Sequence, residues 1–360
     1  MTLQLIRPMV PEPDKWLPLI EESYHRGYFS NFGPLCRRFE DRACEFLGTN
    51  RRALAVCNAT SGLDVVLKAL GCSGKVLMPS FTFPATAHAV RNAGCEPVFL
   101  DVDERTMEMN ADTVSGALDA IQNVSAVLHV RSFGFCRDLD ALDAVCRANG
   151  VPLVVDSAGA FGGALDNGTR VGGQGTAEVF SLHATKPFGI GEGGLIVAES
   201  GLIDTCRRVA NFGMVDDDVE HAGCNAKLPE ILCAIGIAKF DGFDAELEQR
   251  SGTAGMYRAA LPDDTGRPDR LAGIGSPPWQ FFLAAVPDSI EAVEALREIG
   301  VVARAYYRPA LHESRCFSAC ATYGGLPVST RLARTLVALP VHGGVTTGDV
   351  DRIARCLVGD

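Results

Sequence analysis

The stretch EVFSLHATKPFGIGEGG, residues 178–194, decides how this chain is read. An apolar, alternating run leads to a lysine, Lys186, and a glycine-rich turn follows at once. The run predicts a strand and the glycines a sharp turn. A lysine so placed can be held in a pocket and desolvated. Burial disfavours the ammonium form, and the neutral amine is a nucleophile toward carbonyls. Most lysines that follow strands are simply solvated. The assignment therefore turns on what the rest of the chain places beside Lys186.

Working outward, AEVFSLHA (177–184) and GGLIVAES (193–200) read as strands on either side of the lysine. Upstream, RALAVCN (52–58), KVLMPS (75–80), EPVFLDVD (96–103), VSAVLHVRSFG (124–134) and VPLVVD (151–156) read as further strands. Between them TSGLDVVLKALG (60–71), TFPATAHAVRNAG (82–94), the segment from Asn110 to Ile121 and DLDALDAVCRANG (138–150) have helical spacing, three of them closed by a glycine. Strands as apolar as VPLVVD are buried on both faces, as in a mostly parallel sheet covered by helices. The fold class is α/β. Downstream come a long helical region around 228–250, a loop over 262–278, a strand WQFFLAAV (279–286), a helix from Ser289 to Ile299, a strand VVARAYY (301–307) and two more helical stretches. This predicts a large domain over 1–245 and a smaller α+β domain over 246–360.

The chain has 360 residues, 47% hydrophobic and 21% charged, the balance of a globular enzyme. Its net charge of −11 argues against a nucleic-acid partner, since no basic surplus meets phosphates. The 13 cysteines are odd in number and scattered, without zinc-ligand spacing, so neither a disulfide framework nor a metal is expected. The opening, MTLQLIRPMVPEPDKW, has too short and broken an apolar stretch for a secretory leader, and no run reaches membrane-spanning length. A reducing cytoplasm is the expected home.

In an open α/β sheet, ligands sit at the carboxyl ends of strands, and the chemically interesting residues fall at those positions. CNATSGL (57–63) joins a strand to a helix, so Thr60 and Ser61 stand where free amides and the helix dipole can bind a phosphate; ordinary capping by Asn58 or Thr60 is the plainer alternative. Asp156 ends VPLVVD, where a carboxylate can pair with a protonated pyridine nitrogen or simply cap a turn. Ser181, five residues before Lys186, can donate to a phosphate or sit buried in its strand. Phe83 follows KVLMPS and can cover an aromatic ring or join the core. Phosphate cup, aromatic lid, ring-nitrogen aspartate, serine and lysine are the parts of a pyridoxal 5′-phosphate (PLP) site, in order along one sheet.

With those parts in place, the chain resembles the DegT/StrS family of fold-type-I PLP-dependent enzymes, mostly sugar aminotransferases. The resemblance runs through NFGPLCRRFE at 31, NATSGL at 58, PSFTFPATAHA at 79, EPVFLDVD at 96, VVDSAGAFGG at 154, FSLHATKPFGIGEGG at 180, NFGM at 211, GCNAKLPE at 223 and YYRPALH at 306. It implies that Lys186 forms the Schiff base, Asp156 pairs with the pyridine nitrogen, and Ala59, Thr60, Ser61 and Ser181 form the phosphate cup. It implies that Phe83 stacks on the ring and that Asn225 reaches the cofactor of a neighbouring subunit in a homodimer with shared active sites. The family usually carries glutamine or histidine three residues after the aspartate, and here Gly159 stands there.

The resemblance further implies transamination. The amine of Lys186 removes the α-proton of a donor, L-glutamate, and returns it to the cofactor, leaving pyridoxamine 5′-phosphate; the reverse sequence aminates a keto-sugar, nucleotide-linked, for amino- or deoxysugar biosynthesis toward a surface polysaccharide or natural product. Tyr306, Tyr307, Arg308 and His312 fall where the family's small domain approaches substrate, with Arg308 suited to a carboxylate or diphosphate. His183 either shapes the site or is a packed structural histidine. Competing readings are a dehydratase or cyclitol aminotransferase on the same fold, and a non-catalytic regulator. Relatives acting as dehydratases carry histidine at the lysine position, so Lys186 argues against that branch.

Overall fold

The computed structural model describes residues 2–262 and 273–359. Helices α1 (Pro13–Arg26) and α2 (Pro34–Leu47) precede strand β1 (Arg52–Val56). Alternation then sets in: α3 (Ala59–Ala69), β2 (Gly74–Pro79), α4 (Pro84–Asn92), β3 (Cys95–Leu100), α5 (Ala111–Ala120), β4 (Val124–Val130), α6 (Asp140–Ala148) and β5 (Leu153–Asp156). Next come β6 (Ala177–Ser181), β7 (Gly194–Ala198), α7 (Ser200–Val209), the short hairpin β8 (Met214–Val215) and β9 (Asp218–Val219), and α8 (Glu230–Ala260). The remainder is β10 (Phe281–Ala285), α9 (Ser289–Glu298), β11 (Ala321–Thr322), α10 (Pro327–Thr335), β12 (Leu336–Pro340) and α11 (Thr347–Val358).

Among the described residues the main sheet has eight strands in the order β1-β7-β6-β5-β4-β2-β3-β11. Strand β7 runs antiparallel to both its neighbours, and the other pairs are parallel. The period-two alternation of strand side chains explains why these strands are apolar throughout. Leu54 and Val56 of β1 face one side with Leu63 and Val66 of α3, whereas Ala53 and Ala55 face the other with Phe39 of α2 and Phe240 of α8. Val154 likewise joins the first side while Leu153 and Val155 pack toward α5 and α6. Helices thus cover both faces, and the carboxyl ends of β4, β5 and β6 share one edge.

A second body forms around the antiparallel pair β10 and β12. Its core joins Phe282, Leu283, Val337 and Leu339 to Leu296 of α9, Ile353 of α11 and Tyr257 near the end of α8. Leu5, from the start of the chain, is buried in the same cluster. Helix α8 is continuous across residue 245; its first half packs under the main sheet through Cys233, Ile237 and Phe240, and its second half enters the other core through Ala254 and Tyr257.

Several expectations need correcting. Residues 301–307 are not a strand. Val301 and Ala303 are buried, as alternation requires, but pairing is split between single bridges, Leu3 to Val301 and Arg304 to Ala338, so no ladder builds. The C-terminal stretch holds strands β11 and β12 as well as two helices. The strand from 124 ends at Val130, and a short 3-10 turn occupies Ser132–Gly134. Of the loop expected over 262–278, residues 263–272 lie outside the described residues.

Candidate active site

A cavity of about 1050 Å³ opens at the carboxyl ends of the central strands, between the sheet and the C-terminal body. Ala59, Thr60, Ser61, Phe83, Asp156, Ser181, Lys186, Tyr306 and Tyr307 line it. Asn225, Arg308 and His312 do not. Asn225 is exposed, bridged to Asn211.

The cup forms where β1 gives way to α3. Asn58 caps the helix, its side chain accepting from the Ser61 amide at 2.8 Å. Capping takes up only the Ser61 amide: the amides of Ala59 and Thr60, in the first turn, have no carbonyl one turn back and stay open to an anion. The glycine turn after the lysine has a steric reason at this point. A Cβ on Gly194 would stand 2.6 Å from the Asn58 carbonyl carbon and 2.7 Å from the Ala59 nitrogen, so only glycine lets β7 begin against the cup.

Asp156 ends β5 and is 5% exposed. Thr86, on α4, donates its hydroxyl to Oδ2 at 2.8 Å, and the Ala158 amide donates to Oδ1 at 3.1 Å. Burial pushes the carboxyl pKa up; these two bonds, Lys186 and His129 pull it back. A buried carboxylate so placed is a receptor for a cationic ring nitrogen.

Lys186 follows β6 in a turn closed by its amide on the His183 carbonyl at 2.8 Å. Burial depresses its pKa to about 8, against the opposing pull of Asp156. About a tenth of the amine is then neutral at pH 7, far more than for a solvated lysine. Its Nζ donates to Gln280 Oε1 at 3.1 Å. Ser181, at the end of β6, accepts from the His183 amide at 3.3 Å. His183 braces the lysine turn: Nδ1 accepts from the Thr185 amide at 3.2 Å and meets the Thr185 hydroxyl at 2.8 Å, while Nε2 lies 3.5 Å from Glu192.

Phe83 lines the cavity and is 53% exposed, a position for covering a flat ligand. Tyr307 stacks on Phe133 at 5.2 Å and 16°, and burial pushes its phenol pKa upward. Arg308 turns away to Asp288, both carboxylate oxygens at 3.0 Å. His312 is tied to the Ser80 hydroxyl at 2.6 Å and to Thr330 at 3.2 Å. Sequence reading passed over three residues of the site: Thr86, Gln280 and Arg304. Arg304 lines the cavity, near the Tyr306 hydroxyl at 3.4 Å. Its alternation with buried Val301 and Ala303 was the available signal.

A buried carboxylate, an amine of depressed pKa, an open helix start and an exposed aromatic ring in one cavity fit a phosphorylated pyridine aldehyde. The class defined is a fold-type-I PLP-dependent transferase. The chain belongs to the DegT/DnrJ/EryC1/StrS aminotransferase family, whose model matches residues 14–358. It is 31% identical over 370 residues to protein Rv3402c of Mycobacterium tuberculosis, covering 99% of this chain and 89% of that one. It is 27% identical over 359 residues to dTDP-4-amino-4,6-dideoxy-D-glucose transaminase of Shigella dysenteriae, covering 98% and 97%. The crystal structure of DesI in the presence of its TDP-sugar product superposes with a TM-score of 0.90 at 33% identity, covering 99% of this chain and 92% of that one. The protein is accordingly a transaminase of sugar type, and family and fold imply PLP. Among the described residues, no helix is long and apolar enough to cross a membrane.

Proposed function

We propose that this chain moves the amino group of L-glutamate onto a keto-sugar carried by a nucleotide, in the cytoplasm. The observation that carries the reading is the convergence of Lys186, Asp156 and the open start of α3 on one cavity. PLP bound there supplies an electron sink at the carbon next to the amine. Asp156 holds the ring nitrogen in its charged form. The amides of Ala59 and Thr60, with the hydroxyls of Thr60, Ser61 and Ser181, hold the phosphate, and Phe83 covers the ring. Nζ of Lys186 would take up and give back the donor's α-proton, a task suited to an amine whose pKa is about 8.

For the anionic end of the substrate we assign Arg304 in place of Arg308. Arg304 is on the cavity wall, whereas Arg308 is spent on Asp288. Tyr306 and Tyr307 form the adjoining wall. A homodimer is part of the reading: Asn225 is exposed and off its own cavity, as reaching a partner's cofactor requires. Exposed Phe212 and Val219 offer apolar surface for such an interface.

The test is direct. Purified protein given PLP should show a visible absorption band, and borohydride should fix the cofactor to Lys186, read by peptide mass. A panel of nucleotide keto-sugars with L-glutamate should then yield an aminated product for at least one. Labelling at another lysine, or no retained cofactor, overturns the reading.

A further inference from the structure

The amine of Lys186 is held by a side chain of the C-terminal body. Its Nζ donates to Oε1 of Gln280 at 3.1 Å, across 94 residues of sequence. The other end of that amide, Nε2, donates to the Thr185 carbonyl at 3.0 Å. A backbone carbonyl only accepts, so Nε2 must face it, and Oε1 must then face the lysine. The orientation of the amide is set by its bonds. Gln280 is 7% exposed and lies between buried Trp279 and Phe281 at the entry to β10, so the acceptor is rigid.

An amide oxygen accepts from an ammonium and, more weakly, from a neutral amine. It can hold Lys186 before and after a proton moves. Asp156 is the charged group that faces this amine. In a transaminase the lysine must leave the cofactor carbon and then act from a defined place as the base. A free four-carbon stem in a cavity of about 1050 Å³ would otherwise have many rotamers to sample.

We propose that Gln280 is a positioning residue: its Oε1 holds the amine of Lys186 whenever that amine is not bonded to the cofactor, aiming it for proton transfer. The proposal rests on the transaminase reading above. It also makes the base depend on the C-terminal body being closed on the sheet, because the acceptor comes from one and the amine from the other.

The test uses Gln280→Met, which keeps the side chain's length and removes both bonds, and Gln280→Asn, which keeps the amide and withdraws its oxygen. The first measurement needs no cofactor. The pH midpoint for acylation of Lys186 in the cofactor-free protein should move down by about half a unit in both variants, because the ammonium loses an acceptor. The second loads the proteins with PLP and follows one turnover of the band with L-glutamate and with its α-deuterated form. The rate should fall about tenfold, the upper worth of one neutral hydrogen bond, and the isotope effect should rise. An unchanged midpoint overturns the proposal, as does a lower rate with an unchanged isotope effect, which marks a merely structural role. Failure of the wild-type protein to bind PLP at Lys186 instead overturns the underlying reading, and the acylation midpoint still reports the contact. If Gln280→Met does not fold, Gln280→Asn decides by the same criteria.

Discussion

Gly134 and Gly159 meet backbone to backbone in the cavity wall. A Cβ on Gly159 would stand 3.2 Å from the Gly134 nitrogen and 3.4 Å from its Cα. One on Gly134, whose φ is +83°, would run into the Gly159 carbonyl oxygen. The residue at 159 is thus small because the turn at 132–134 presses on it. Gly134→Ala combines a left-handed backbone with a clash and should cost about 2–3 kcal/mol. Gly159→Ala should cost roughly 1 kcal/mol, since a few tenths of an ångström relieve it. Urea denaturation midpoints of the two variants check the order.

Asp156 carries a buried charge with two hydrogen bonds, from Thr86 and Ala158. Burial raises its pKa in the folded protein, so the folded state holds the proton more tightly than the unfolded one. The cost to stability begins as pH climbs above the ordinary value of 3.8 and is complete above the folded value. Asp156→Asn should therefore raise the melting temperature of the cofactor-free protein at pH 7 by about 2 °C, with the gain vanishing below pH ~3.8. The same change should weaken PLP binding by about two orders of magnitude, as loss of a buried ionic partner does. Calorimetry and a PLP titration test the pair of effects together.

Lys186 works the other way in pH. Its folded pKa, about 8, is below the ordinary 10.5. Between those values the unfolded state binds more protons, so stability rises with pH across the window, and below about 8 the full cost is present. Lys186→Met should stabilise the cofactor-free protein at pH 7 by about 2 kcal/mol, less than the full shift because Asp156 loses a nearby cation. The advantage should be gone near pH 10.5, by urea melts at three pH values. The variant should have no transaminase activity at any pH.

Arg304 and Arg308 make opposite predictions. Arg304 stands on the cavity wall beside a tyrosine hydroxyl, and Arg308 is locked to Asp288. Arg304→Ala should raise KM for the anionic substrate about tenfold or more with kcat changed less than about threefold, the pattern of lost uniform binding. Arg308→Ala should leave KM within about twofold, since it gives up only a half-exposed ion pair. Steady-state kinetics on both variants decide.

Much of this site could be read along the chain because a parallel sheet puts its strand ends together. Asp156, Ser181 and Lys186 each end or follow a strand, and Thr60 and Ser61 begin a helix after one, so order alone predicted that they share an edge. The residues that escaped have no such mark. Thr86 lies inside a helix, and only the approach of α4 to β5 brings its hydroxyl to Asp156. Arg308 and His312 sat in a suggestive segment, but neighbours absent from that segment, Asp288 and Ser80, drew them off. The segment 301–307 has strand-like alternation, yet alternation reports only which side faces a core and does not supply a paired strand.

The sequence by itself determined the sheet, the helices that cover it and the strand-end chemistry around Lys186, because periodicity and turn residues are local properties of the chain. What surrounds the amine of Lys186 was decided only by tertiary structure. Gln280 is 94 residues away, Gly159 is governed by Gly134, and the cap of α2 is Glu230, whose carboxylate accepts from the Leu35 and Cys36 amides at 2.9 Å. The first depends on how the C-terminal body meets the sheet and the other two on how distant segments pack within the main body, and no spacing rule along the chain records either.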